Sequence, residues 1–355
     1  MSESTANSPG AIIAALLTGA WRHSPPPLNI SGADVEAVTP RLLESRAAPL
    51  CWWRIRHSAL RASLENGELH QAYRLHALET ELRRDNLKQV FALLRAHGIE
   101  PILIKGWTIA RLYPEPGLRP YDDLDLCVAP EQLALAESAL KSVEERHYHV
   151  DLLHYEVTEF DRRSWDELFS RSRLARFDDM EIRILGPEDH LRLLCIHLLR
   201  HGVSRPLWLC DIALALESRP DNFDWNLFVG DLQPQADWVA CAIGLAHQLL
   251  KVEVENTPIA SRATSLPEWL LPRVLKRWSW PDRDDPQRMI NRLRRGDEVF
   301  RSLRRRWPDP IMLNIEAMKP LNEKPKLHIH LSSYISLYRI VKFVKELPAL
   351  WRGEQ

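Results

Sequence analysis

The spacing of apolar positions changes twice along the chain. From about residue 33 to 97 apolar residues recur at threes and fours, first at Leu75, Leu78 and Leu82 and then at Leu87, Val90, Phe91 and Leu94. This spacing matches the helical turn and predicts an amphipathic helix with the two sets on related stripes. His97 and Gly98 supply its C-terminal stop. At Ile99 the pattern shortens. Residues 101–104 form a branched apolar run of strand length that halts at Lys105 and Gly106, and a helical stretch is expected over 108–113. Pro114, Pro116, Gly117 and Pro120 then read as a loop, and residues 123–128 alternate as a strand does. A helix over 131–146 and strands over 150–157 and 181–185 follow.

The second change comes at Pro187, well placed as a first helical residue. It opens an apolar helix through 201, and further helices are expected over 207–216, 225–232 and 236–252. The fold class implied is α+β, a small mixed β-sheet core with flanking helices and a mainly α-helical C-terminal half. The expected segments are a flexible N-terminal stretch over 1–32, stiffened by Pro25, Pro26 and Pro27, and an N-terminal helical region over 33–98. An α/β core over 99–186, a helical domain over 187–260 and a C-terminal helical region over 261–355 complete the division.

Composition narrows the partners. Hydrophobic residues at 45% and charged residues at 27% of 355 positions are the proportions of an ordinary globular protein. With 47 basic against 48 acidic residues, no global field draws the chain to a polyanion, so nucleic acid is not the expected partner. Cys51, Cys127, Cys195, Cys210 and Cys241 are scattered without paired spacing, which disfavours a disulfide framework or zinc ribbon and suits a reducing cytoplasm. The first residues lack the pattern of a secretory leader, and no apolar run has the length of a transmembrane helix.

The candidate chemistry sits in Asp122-Asp123-Leu124-Asp125-Leu126. A two-residue period puts Asp123 and Asp125 on one face and the leucines on the other. Two converging carboxylates repel unless a cation bridges them, and hard oxygen ligands suit Mg2+, with Mn2+ as the alternative. Alone, an Asp-x-Asp pair is more often a solvated loop feature. Lys105-Gly106-Trp107 strengthens the reading, because glycine lets a backbone approach a phosphate chain and a following helix start can present amide donors. Asp151 on the third expected strand offers another carboxylate, and Lys105 and Arg119 could offset phosphate charge, each weighed against an ordinary surface role.

At these residues the chain resembles a known family. Leu103-Ile-Lys-Gly-Trp-Thr-Ile-Ala-Arg-Leu-Tyr-Pro, followed by Gly117-Leu-Arg-Pro-Tyr-Asp-Asp-Leu-Asp-Leu-Cys-Val, is similar to the uncharacterised bacterial nucleotidyltransferase family of the polymerase-β-like superfamily. The resemblance continues through Val150-Asp-Leu-Leu-His-Tyr, Ile184-Leu-Gly-Pro-Glu-Asp-His-Leu, Leu194 to Gly202 and Trp208-Leu-Cys-Asp-Ile, and covers roughly residues 75–250. It implies a nucleotidyltransferase core with Asp123, Asp125 and Asp151 as metal-binding and catalytic acids, and Lys105, Gly106, Trp107 and Arg119 about the nucleotide. Two departures stand out. Trp107 follows the motif glycine where a small residue is usual, and Asp151 and His154 lie three apart where two is usual; of these two, Asp151 is the better base for an acceptor hydroxyl.

The implied reaction is metal-dependent transfer of a nucleoside monophosphate from a triphosphate, ATP foremost, to an acceptor hydroxyl or phosphate in small-molecule, peptide or polysaccharide biosynthesis. The rival reading is a nucleotide-binding or regulatory protein without turnover, and a third is an RNA-modifying transferase using seven arginines between Arg292 and Arg306. His197 and His201, four apart with Cys195 nearby, have metal-pair spacing but lack a metalloprotease glutamate, so a packed role is expected. Asp211 is expected to cap or pair within the helical half. The apolar run over 327–351 is expected to pack on the body, and the 13 tryptophans to fill core and contacts.

Overall fold

The computed structural model describes residues 8–64, 67–141, 149–153, 163–279 and 309–325. The N-terminal helices are α1 (Pro9–Leu17), α2 (Gly32–Glu44), α3 (Ala48–Ile55), α4 (Arg61–Leu64) and the long α5 (Glu68–Ala96). The core follows as β1 (Ile102–Leu103), α6 (Trp107–Ala110), β2 (Leu124–Cys127), α7 (Leu133–Lys141), β3 (Val150–Leu153), α8 (Trp165–Arg171), β4 (Arg173–Phe177) and β5 (Met180–Ile184). The rest is helical: α9 (Pro187–Arg200), α10 (Pro206–Glu217), α11 (Trp225–Val229), α12 (Gln235–Leu250), α13 (Ala260–Thr264), α14 (Leu270–Trp278) and α15 (Pro310–Glu316). The class is the α+β arrangement that the alternation of patterns implies.

Five strands form one mixed sheet in the order β3-β2-β1-β5-β4. β1 runs antiparallel to β2 and parallel to β5, β2 runs parallel to β3, and β4 closes the other edge antiparallel to β5. Alternation along β2 sends Leu124 and Leu126 into one apolar layer with Phe91 and Leu94 of α5 and Ala136 of α7. Cys127 turns to the opposite layer with Ile102, Ile104 and Leu168 of α8, against which Leu193 of α9 also packs. Asp125 shares that second face, so the carboxylate side of the sheet looks toward the helical half.

Edge strand β4 and helix α8 lie outside the elements expected from the pattern. β4 reads Arg-Leu-Ala-Arg-Phe, and only Phe177 of the five is buried, so it lacks the apolar signature of an inner strand. α8 is short but locally encoded, since Ser164 and Glu167 form a reciprocal capping box. Pro187 opens α9 within its first turn as expected. The continuation of the third strand beyond Leu153, including His154, lies outside the described residues, as do the Arg292–Arg306 cluster and the 327–351 run.

Two expectations differ from the fold. The segment expected to be flexible holds α1, capped by Ser8, and Ile13, Leu16 and Leu17 are fully buried. They join one apolar core with α2, α3 and α9 to α14. Leu75, Leu78 and Leu82 do not share the buried stripe of α5: they are 55%, 70% and 70% exposed. At 3.6 residues per turn they project opposite the line through Tyr73, Thr80 and Leu87. That line turns inward because the first half of α5 packs on α3 and the second half on the sheet.

Candidate nucleotide and metal site

Gly106 ends the β1 turn with φ +65° and ψ −114°, a backbone that a side chain would strain. A Cβ there would stand 3.4 Å from both the Asp123 carbonyl and the Tyr121 ring, so the glycine lets β1 and the approach to β2 lie against each other. The turn is held by Ala110 N–H donating to the Gly106 carbonyl at 3.1 Å and the Thr108 hydroxyl donating to the Leu103 carbonyl at 3.1 Å. The helix expected over 108–113 is a four-residue turn, α6. Four residues sum too few peptide dipoles to make a strong anion site.

The loop before β2 is fixed from several sides. Gly117, at φ +84°, would bring a Cβ within 2.7 Å of the Ala77 backbone, so only glycine allows the loop to lie on α5. Asp122 is bound by Arg46 at 2.6 Å and by Arg83 at 2.9 Å, which ties the first acid of the motif to the N-terminal helices. Asp123 and Asp125 are thereby left for the other face.

There the acids converge. β2 and β3 are in register Asp125 opposite Asp151, and in a parallel pair such partners share a face. One carboxylate oxygen from each of Asp123, Asp125 and Asp151 lies within 4.8 Å of the others. Asp125 is buried, Asp123 partly buried and Asp151 exposed, so the cluster grades from the sheet interior to solvent. Lys105 reaches in from the end of β1, its Nζ 2.6 Å from Asp125 Oδ1. Burial raises the Asp125 pKa above the ordinary carboxylate value; Lys105 opposes that rise, and Asp123 and Asp151 add to it. A buried acid beside two others, with one ammonium to offset them, is short of positive charge. Hard oxygen donors in this number suit a divalent cation of the magnesium type.

Trp107 and Arg119 are placed differently from the five residues around the turn and cluster. The Trp107 side chain is buried in the layer beneath the turn, edge-on to Phe177 at 4.8 Å between ring centroids. It packs the motif glycine from below and leaves only its backbone near the turn. Arg119 is buried and its guanidinium grips Asp211 of α10 through Nε at 3.1 Å and Nη2 at 2.8 Å, with Nη1 donating to the Pro120 carbonyl at 3.2 Å. Tyr113 donates to the same carboxylate at 2.9 Å. Burial works against the Arg119 charge, yet Asp211 more than restores it, so its pKa stands above the ordinary value. Arg119 still faces Asp125 closely enough for the two charges to interact.

Asp211 was legible only in part. A fully buried acid inside Trp208-Leu-Cys-Asp-Ile demands a cation, but nothing in the spacing says that the partner comes from the loop before β2 rather than from its own helical half. The cysteines are all free, and four of the five are buried. Among the described residues no helix is long and apolar enough to cross a membrane.

The mixed sheet thus sets an acidic cluster beside a glycine turn. The sequence matches the family model for an uncharacterised nucleotidyltransferase over residues 31–250. The chain belongs to that nucleotidyltransferase family. Among solved structures it is similar to the crystal structure of an antigenic nucleotidyltransferase-like protein from Paracoccidioides brasiliensis, at 15% identity and a TM-score of 0.34, over 51% of this chain and 94% of that one. No curated protein matches the sequence.

Proposed function

We propose that the chain is a metal-dependent nucleotidyltransferase that moves a nucleoside monophosphate, from ATP foremost, to an acceptor hydroxyl or phosphate. The convergence of Asp123, Asp125 and Asp151 within 4.8 Å beside Gly106 is the observation that carries this reading. Mg2+, or Mn2+ in its place, would be held by these three acids and would supply charge neutralisation to the triphosphate and its leaving group. Gly106 gives the phosphate chain room at the turn. Lys105, already paired with one of the acids, stands where it can also bear on phosphate.

The acceptor oxygen attacks the α-phosphorus, the bond from that phosphorus to the bridging oxygen breaks, and pyrophosphate leaves with the electron pair. Where the acceptor is a hydroxyl, its proton passes to Asp151, the exposed member of the set. Arg119 acts at one remove: its contacts with Asp211 hold the approach to β2 against α10. Family membership supports the general class. On this proposal the chain is a bacterial, cytoplasmic member of the polymerase-β-like superfamily working in small-molecule, peptide or polysaccharide biosynthesis.

The test uses ATP, CTP, GTP and UTP labelled at the α-phosphate, with MgCl2 or MnCl2, against pooled metabolites, peptides and RNA. Label should pass to a non-RNA acceptor, and Asp123→Asn or Asp125→Asn should lower the transfer roughly a hundredfold or more, as removal of a group acting on developing charge does. Triphosphate binding with no transfer to any acceptor would identify a nucleotide-binding regulator instead.

A further inference from the structure

His197 and His201 lie at the end of α9, and Trp208 starts the facing turns of α10. Their three rings form one cluster. Centroids stand 4.6 Å apart for His197 and His201, 4.5 Å for His197 and Trp208, and 5.2 Å for His201 and Trp208. Around them Leu198, Leu199, Leu207 and Leu209 are buried, whereas His197 and Trp208 are partly open and His201 is exposed. A partly exposed ring surface thus interrupts a buried apolar seam, flanked by the exposed Arg200 and Arg205. It borders the acidic site, because the Lys105 ammonium acts on both imidazoles and Arg119 acts on His197. Three residues beyond Trp208 on the same helix, Asp211 clamps Arg119 and fixes α10 against the loop before β2.

Two other uses of the pair fit less well. Among the described residues the only cluster with metal-ligand geometry is the acidic one, and Cys195 is fully buried away from solvent. Desolvation by the chain packed around each ring, and then neighbouring cations including Lys105, hold both imidazoles below their ordinary pKa; this holds for His201 although part of that residue reaches solvent. A base so weakened takes up a proton poorly near neutrality. Neutral rings that keep part of their surface in solvent are suited to stacking, and the Arg205 guanidinium stands over Trp208 at 4.9 Å from its ring centroid. Resting on the nucleotidyltransferase reading of the acidic site, we infer that His197, His201 and Trp208 form the wall on which the nucleobase of the triphosphate stacks, purines more firmly than pyrimidines. Every base offers a π-face, and the larger purine face gains more from the same rings.

The experiment is calorimetric titration of the full chain in MgCl2 with ATP, UTP and inorganic tripolyphosphate, which carries the phosphates without a base. Wild type should bind ATP roughly tenfold or more tightly than tripolyphosphate, the scale of one base–aromatic stack, with UTP between them. Trp208→Ala and the exposed His201→Ala should each reduce that gap while tripolyphosphate affinity is kept, and Trp208→Phe should retain most of it. Retained tripolyphosphate binding also reports that each variant is folded. An ATP gap unchanged in His201→Ala and in the folded Trp208 variant overturns the inference and leaves the acidic site standing, as does equal wild-type affinity for ATP and tripolyphosphate. Absence of binding by any of the three ligands to wild type overturns the inference together with the function on which it rests.

Discussion

Asp125 and His190 show how burial acts on single groups with opposite results. Asp125 is nearly enclosed beside two other acids, and its charge is tolerated through Lys105. His190, on the buried side of α9, has an Nε2 with no hydrogen-bond partner among the described residues. Burial, then the charges of Arg111 and Arg119, lowers its pKa from 6.5 to about 3. The sign follows from linkage. Between those values the unfolded chain binds a proton that the folded chain refuses, so the contribution to stability is present above the unfolded value and is lost as pH falls from about 6.5 toward 3. The slope from this one group can reach about 1.4 kcal/mol per pH unit. Urea midpoints measured from pH 7 down to pH 5 should therefore fall less steeply in His190→Gln than in wild type. Parallel slopes would show that His190 is protonated in the folded protein.

On the scale of elements, α5 is the instructive case. Its leucines look alike in sequence but stand on opposite sides of the helix, with Leu87 fully buried and Leu78 70% exposed. Replacing Leu87 with Ala should cost about 2–5 kcal/mol, since it removes buried methylenes and leaves a cavity. Leu78→Ala should change stability by no more than about 0.5 kcal/mol. Chemical denaturation of both variants checks the pair, and similar losses would mean that the leucine face is covered in solution. Spacing by threes and fours identified the helix but not its inward side. Two apolar stripes existed, and the choice between them was made by α3 and the sheet. The strands were legible to the extent that they were apolar: β1, β2 and β5 announce themselves, whereas the charged edge strand β4 does not.

Taken as a whole molecule, the chain joins sheet and helical half through buried charge as well as apolar contact. Arg119 sits on the loop before β2 and Asp211 on α10, and both are withdrawn from water. Removing one partner leaves the other charged and unpaired, so Asp211→Ala should destabilise by about 3–5 kcal/mol. The double variant Arg119→Met/Asp211→Leu should recover part of that loss, because two apolar side chains carry no stranded charge while the Tyr113 hydroxyl loses its acceptor. Urea unfolding of the single and double variants measures this, and additive losses would contradict a coupled pair.

By itself the sequence determined the α+β class, the glycine turn and the facing of Asp123 with Asp125, because helical and strand periods are local properties written in neighbouring residues. The placement of Asp151 opposite Asp125, the burial of Trp107, the engagement of Arg119 by Asp211 and the meeting of His197, His201 and Trp208 near Lys105 were decided only in the tertiary structure. Each depends on which distant segment supplies the neighbour. Local spacing orients a side chain relative to its own element, while packing between elements sets what that side chain meets.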